Sequence, residues 1–365
     1  MIQLEGFITA ISPLHIGSGR SKGTFIQTLD YIPGRTIRGM LGYYLYKNDR
    51  QLFDNIGIDE EKDISRMGIF FKNAYPVEEN GTTVASPLIL RWCKRCDALF
   101  ARERDERECK NVENNIPCLH EGKKYSGLMS LESIRDRKLK RQRAYSKQIE
   151  TKCPITRTGH ASMGSAEEGY ELSPYHIESI SAGARFRFRI LVKDDFADKI
   201  IESLKNAGTF YGLGGFRSRG YGSVRFDLVE KSDLKAKIAK RTEELSAMES
   251  KLLVVNSQMI LKEGDESVIG FDDTFKEYAG KTLRSIGVEG TIDIDLTDAK
   301  ISSSVARGWS LKNQNSLSEL IPCIGSGSCV RVSGDAEALT ALEAYGIGEM
   351  INCGYGDIYV IGDLV

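Results

Sequence analysis

The clearest alternation in the chain is ARFRFRILV, residues 184–192. Phe186, Phe188 and Ile190 share one parity and Arg185, Arg187 and Arg189 the other. The stretch predicts a half-buried strand with a basic outer face. Behind it, DDFADKIIESLKNAG (194–208) carries apolar residues at helical spacing, acids at its start and glycine at its end, the marks of an amphipathic helix. A glycine-rich stretch, YGLGGFRSRGYG (211–222), comes next, then a strand, SVRFDLV (223–229). The succession recurs near the C-terminus. LLVVNSQMIL (252–261) and TIDIDL (291–296) read as strands and DAEALTALEA (335–344) as a helix. A second glycine stretch, YGIGEMINCGYG (345–356), precedes a closing strand. The two stretches align without a gap: Tyr211, Gly212, Gly214, Gly220, Tyr221 and Gly222 recur as Tyr345, Gly346, Gly348, Gly354, Tyr355 and Gly356. An ungapped match inside a repeated element order predicts a duplicated α+β unit.

Elsewhere the pattern is weaker. Residues 2–12 alternate as a first strand, and a small-residue loop with Arg20 and Lys22 follows at 13–23. Pro33 and Gly34 mark a turn. From Thr36, the residues Ile37, Met40, Leu41, Tyr44 and Leu45 fall on one helical face. SPLILRW (86–92) reads as a strand, 153–179 as a long protruding hairpin or loop, and the charged 230–251 as a helix joining two modules. The predicted layout is therefore a first module at 1–229 with an insert at 91–125, a linker helix at 230–251 and a smaller second module at 252–365.

Composition narrows the chemistry. With 365 residues, 41% apolar content and a net charge of −1, the chain is an ordinary globular one, so any nucleic-acid site must be a local patch. No stretch approaches ~20 apolar residues, which predicts no membrane-spanning segment. The N-terminus lacks the basic start and cleavage site of a signal peptide, so the expected location is the cytoplasm and the eight cysteines read as thiols or metal ligands. Cys93, Cys96, Cys109 and Cys118 have the spacing of a closed, structural zinc site, with His120 competing with Cys118 for the fourth position. A metal would act as the core of that charged insert; free thiols are the plain alternative. Three stretches suit phosphates. Arg217 and Arg219 flank bare glycine backbone. Arg35 and Arg38 sit at a helix N-terminus that lacks acids. RDRKLKRQRAYSK (135–147) holds seven Lys or Arg against one Asp. Each could equally be solvated surface charge. Tyr211, Phe216 and Tyr221 could stack bases or pack the core.

The pieces LHIGSGR, DYIPGRTIRGMLG, YGLGGFRSRGYGSVRF and GIGEMINCGYGDIYV together resemble the RAMP superfamily of CRISPR-associated proteins, and within it the Csx-ten family of type III-D systems. The resemblance implies two ferredoxin-like (RRM-like) modules, each with a glycine-rich loop. It also implies a non-catalytic subunit that caps the 5′ handle of the crRNA and docks on a Cas10-type large subunit and the backbone RAMP subunits. Carried over residue by residue, the handle contacts are His15, Arg20, Arg35, Thr36, Arg38, Gly214, Gly215, Phe216, Arg217, Ser218, Arg219, Gly220 and Tyr221. The four-cysteine insert lies outside the family pattern. Two catalytic readings compete. One is a metal-independent endoribonuclease that processes pre-crRNA, with His15 as candidate base and His160 and His176 also available. The other is a target-cutting backbone subunit using Asp30 and a metal.

Overall fold

The computed structural model describes residues 1–22, 24–61, 63–78, 81–94, 96–101, 123–140, 145–153, 174–307, 309–310, 316–317 and 319–364. Its frame is two antiparallel sheets. In the N-terminal sheet, Ile2–Ala10 lies between Arg185–Val192 and Val224–Asp233, and Arg185–Val192 pairs onward with Ile69–Phe71 and Tyr75–Glu78. The strands Gly81–Ala85 and Leu128–Ser130 extend it. In the C-terminal sheet, Lys251–Val255 lies between Cys329–Gly334 and Ile358–Gly362, with Ile292–Lys300 beyond Cys329–Gly334. In both, the earliest strand is central, flanked by the strands that precede and follow a glycine loop. This is the mixed α+β, antiparallel arrangement expected of a ferredoxin-like fold.

The alternation at 185–192 explains how the first sheet is covered. Phe186, Phe188 and Ile190 are buried with Leu4 and Ile8 beneath the helices Gly34–Asn48 and Ala197–Phe210, which contribute Ile37, Leu41, Leu45, Ile200 and Leu204. Burying one such side chain stabilises by about 1.5–3 kcal/mol relative to exposure, so a one-residue slip that turned the arginines inward would be strongly opposed. The helices Asp273–Ile286 and Ala336–Tyr345 cover the second sheet, packing Phe275, Leu283, Leu339 and Leu342 on Leu253, Val330 and Val360.

Two predicted elements are redrawn. SPLILRW is mostly a turn: Leu90 N–H donates to Pro87 O and Leu88 N–H to Gly327 O, and only Arg91–Trp92 is strand. The joining helix is shorter than 230–251, running Leu234–Ser246, because residues before it extend the edge strand, where Asp233 pairs with Ile2. The hairpin expected at 153–179 has a described base, Lys147–Lys152 paired with Tyr175–Ile180. These strands join Phe25–Thr28 and Gly17–Lys22 in a small third sheet; 154–173 lie outside the described residues. The insert contributes Arg91–Trp92, Leu99–Phe100 and Lys123–Lys124 as a three-stranded sheet. Leu90, Leu99, Met129 and Ile134 pack on the outer face of the C-terminal sheet against Leu252, Val254 and Tyr359.

A buried polar knot also ties the two sheets. The Asp357 carboxylate receives Lys72 Nζ at 3.0 Å, Arg189 Nη2 at 3.1 Å and Asn256 Nδ2 at 2.9 Å. Burial alone would raise this carboxyl, but Lys72 and Arg189 outweigh it and hold it below the usual carboxylate range.

Candidate functional site

The two glycine loops have one backbone design. In the first, Gly215 N–H donates to His15 O, Gly222 N–H to Pro13 O and Leu213 N–H to Gly222 O, at 2.8–2.9 Å. In the second, Glu349, Gly356 and Ile347 donate to Ile260, Gln258 and Gly356 at 2.9 Å. Phe216 and Met350 share a left-handed φ of 56° and 54°, and Gly220 and Gly354 one of 88° and 87°. A Cβ on Gly214 would lie 2.2 Å from His15 O, and one on Gly348 2.6 Å from Ile260 O. The glycines therefore let each loop lie against the segment that follows its central strand.

Their surroundings differ. In the first loop Arg217, Ser218, Arg219 and Gly220 are exposed. Phe216 lies between the His15 and Tyr221 rings, at centroid distances of 5.0 and 6.0 Å. The Arg219 guanidinium stands 5.5 Å over Phe216 and bonds the Tyr175 hydroxyl; Arg217 Nη1 donates to Tyr211 O at 3.0 Å. Burial, reinforced by Glu150, pushes the Tyr221 hydroxyl up to about 12. His15 is itself buried. Its Nδ1 donates to Glu178 O at 2.7 Å, which leaves the lone pair on Nε2. Burial lowers its pKa against the opposing pull of Glu178, so the ring is neutral at pH 7.

In the second loop Ile351, Asn352 and Cys353 are each 1% exposed. The start of the helix Gly34–Asn48 covers them. Arg35 bonds the Tyr355 hydroxyl, and Arg38 donates to Cys353 Sγ at 3.0 Å, to Ile58 O at 2.7 Å and to Glu61 at 3.2 Å. Asn352 Nδ2 reaches Glu60 O at 2.6 Å. The candidate residues thus fall into two groups. His15 and Gly214–Tyr221 come together, whereas Arg35, Thr36 and Arg38 sit against the other loop, with both arginine side chains engaged. Arg20 lies in the strand Gly17–Lys22; its side chain is outside the described ones.

A model of the RAMP superfamily matches residues 7–225, more than half of the chain. The chain belongs to the RAMP superfamily. No curated protein matches it. Among solved structures, a chain titled as type III-B Cmr-beta bound to cognate target RNA is 18% identical over 64% of this RAMP chain, which spans only 61% of that one, at a TM-score of 0.36. A chain from Cmr-beta bound to target RNA and AMPPnP is 15% identical over 91% and 86% of the two chains (TM-score 0.45). A CRISPR-associated protein Cas6 is 9% identical over 99% of each (TM-score 0.43). At these TM-scores the likeness carries no functional argument.

The other RAMP-chain candidates are engaged or lie elsewhere. Asp30 Oδ1 accepts both Tyr145 OH (2.5 Å) and Lys147 Nζ (2.7 Å). The basic run contributes these ties and Lys140's pairs with Glu132 and Asp136; 141–144 lie outside the described residues. His176 meets Thr151 Oγ1 at 3.0 Å, and His160 is outside the described residues. Cys93 and Cys96 pack together on a tight turn, where Asp97 N–H donates to Cys93 O at 3.0 Å and Asp97 has a φ of 58°. That turn fits two ligands of a tetrahedral metal; Cys109, Cys118 and His120 lie outside the described residues. Among the described residues no group of three or more His, Cys, Asp or Glu could hold a metal, and no helix is long and apolar enough to cross a membrane. Sequence reading missed Tyr175, Glu150 and Glu178 as neighbours of the loop, because they reach it only through the third sheet.

Proposed function

We propose that this RAMP chain is a non-catalytic RNA-binding scaffold of a type III CRISPR effector in antiviral defence. It caps the 5′ handle of the crRNA and contacts a Cas10-type large subunit and backbone RAMP subunits, as the Csx-ten resemblance implies. The observation that carries this reading is the exposure of Arg217, Ser218 and Arg219 beside the His15–Phe216–Tyr221 rings, while the same positions of the duplicate are buried. Paired guanidiniums grip phosphates, and the half-buried Phe216, backed by the buried His15 and Tyr221 rings, offers one aromatic face to an unpaired base. The proposal includes the two-module layout, 1–229 and 252–365, and a structural zinc held by Cys93, Cys96, Cys109 and Cys118 or His120. Metal analysis should return about one zinc per chain; none from protein prepared without chelator would remove it.

The second reading, metal-independent cleavage of pre-crRNA, draws on the neutral His15 ring, whose Nε2 lone pair could serve as a base. Its burial favours the scaffold reading, since a base must come within ~3 Å of the proton it takes. Labelled repeat RNA incubated without metal should remain intact while binding the protein. Cleavage that His15→Ala abolishes would replace the scaffold reading with the nuclease one.

A further inference from the structure

The helix Gly34–Asn48 buries Ile37, Met40, Leu41 and Leu45 and turns Gly39, Tyr43 and Tyr46 outward. These three stand at i, i+4 and i+7, so they form one ridge. Tyr43 is 42% exposed and Tyr46 51%. Phe210, at the end of the helix Ala197–Phe210, is 74% exposed, the most of any large hydrophobic side chain among the described residues. It adjoins the same face: Tyr211, the next residue, meets Tyr43 edge-on with ring centroids 5.1 Å apart. Lys47 Nζ lies 5.9 and 5.8 Å from the Tyr43 and Tyr46 ring centroids, and the Arg50 guanidinium 4.5 Å from that of Tyr46. Arg50 pairs with Asp54, whereas Lys47 makes no ion pair among the described residues. Tyrosine, phenylalanine and arginine are the residue types enriched at protein interfaces. Gly39 adds an independent observation. It is exposed in the middle of the helix, its φ is not left-handed, and a Cβ on it would meet nothing within 4 Å. Nothing among the described residues asks for glycine there, although glycine weakens a helix interior relative to alanine. A backbone that crosses close to position 39 explains it, because packed helices approach to ~8–10 Å and the side chains at the contact set the distance.

We propose that this ridge docks one amphipathic helix of a partner protein, its apolar side crossing Gly39 between Tyr43 and Phe210 and its flanking acids pairing with Lys47 and Arg50. Charge selects the acids: the two cations beside the rings have one carboxylate, Asp54, between them. A second copy of this chain fits less well, because a two-fold contact sets Lys47 and Arg50 near their own equivalents. Single-stranded RNA fits less well, because those cations compete with bases for the ring faces. The inference rests on the reading of the chain as a subunit of a larger assembly, for which it names a surface; it does not depend on RNA at the first loop.

The test replaces Tyr46 by the photoreactive p-benzoylphenylalanine in the full-length tagged chain in its native host and maps the cross-linked peptides by mass spectrometry. The cross-link should fall on one segment of another protein, with apolar residues at helical spacing flanked by Asp or Glu. Gly39→Phe in the same chain should cut its yield about tenfold with Tm not lowered, while Arg217→Ala with Arg219→Ala should leave it. Cross-links to peptides of this chain from a second copy, to nucleic acid, or to a segment without those acids would overturn the proposal, as would a yield that Gly39→Phe does not change. No cross-link in a chain that still co-purifies with other proteins overturns this surface alone; a chain that purifies with no other protein overturns the assembly reading with it. Gly39→Ala should raise the folding equilibrium constant about two- to fivefold. A fall would give the glycine a role inside the chain and remove it as a mark of a crossing helix, which also overturns the proposal.

Discussion

The two glycine loops are nearly the same object in two settings. Phe216 and Met350 adopt one backbone conformation, Gly220 and Gly354 another, and the same three backbone bonds hold each loop. What differs is what lies outside. The second loop is roofed by Arg35 and Arg38 of the first helix, and its tip is apolar and amide: Ile351, Asn352, Cys353. Among the described residues the first has no such roof, and its tip is Arg217, Ser218, Arg219. His15, beside the first loop, corresponds to Ile260 beside the second. A shared turn therefore belongs to the fold, and the side chains on it record whether the turn packs or faces outward.

That comparison can be broken in several places. The largest effect should come from Asp357→Ala, which follows the second loop and would leave Lys72 and Arg189 without their buried carboxylate. Removing one partner of a buried pair costs about 3–5 kcal/mol, measured as a fall in unfolding free energy in denaturant. Gly354→Ala should cost about 2–4 kcal/mol, because left-handed strain adds to overpacking where the Cβ would meet Asn73 Oδ1 at 2.5 Å. Gly220→Ala is its matched control: φ is the same within a degree, but nothing lies within 4 Å of the added Cβ. It should cost only the strain, about 1–2 kcal/mol. Equal costs would mean the second loop is not packed as described. Acid should act through Asp357 as well. A carboxyl held below its unfolded value contributes stability that is complete above the ordinary carboxylate range, about pH 4, and is lost as pH falls through the folded value. Asp357→Asn should therefore flatten the acid limb of a stability profile; an unchanged limb would remove the carboxylate from the seam. The smallest stability effect belongs to Arg217→Ala with Arg219→Ala, within about 0.5 kcal/mol for exposed positions.

Much of this was legible in the sequence because it is periodic or repeated. The parity of Phe186, Phe188 and Ile190 gave a strand and its buried face, and the 134-residue offset gave two turns of one kind. Non-local partners were not legible. Arg35 and Arg38, at a helix start with no acids, have the pattern of an anion site, yet their partners Tyr355 and Cys353 lie more than 300 residues away in sequence. The residues 230–233 look helical by charge but continue a strand, because Ile2–Ala10 offers an open edge. SPLILRW has strand composition, but Pro87 and the bond from Leu88 to Gly327 turn it. Arg187 and Arg189 were visible as a basic face, but nothing local says that Lys237, Lys240 and Arg135 line one cleft with them.

The central claim is that the first loop meets RNA while its duplicate packs. Its direct test is the affinity of the full-length protein for labelled handle RNA across a salt series, for the native chain and for Arg217→Ala with Arg219→Ala. Losing two phosphate contacts to single-stranded RNA should weaken binding and reduce the slope of log K against log salt by about 1.4, with Tm unchanged. The same affinity and the same slope in both proteins would contradict the account.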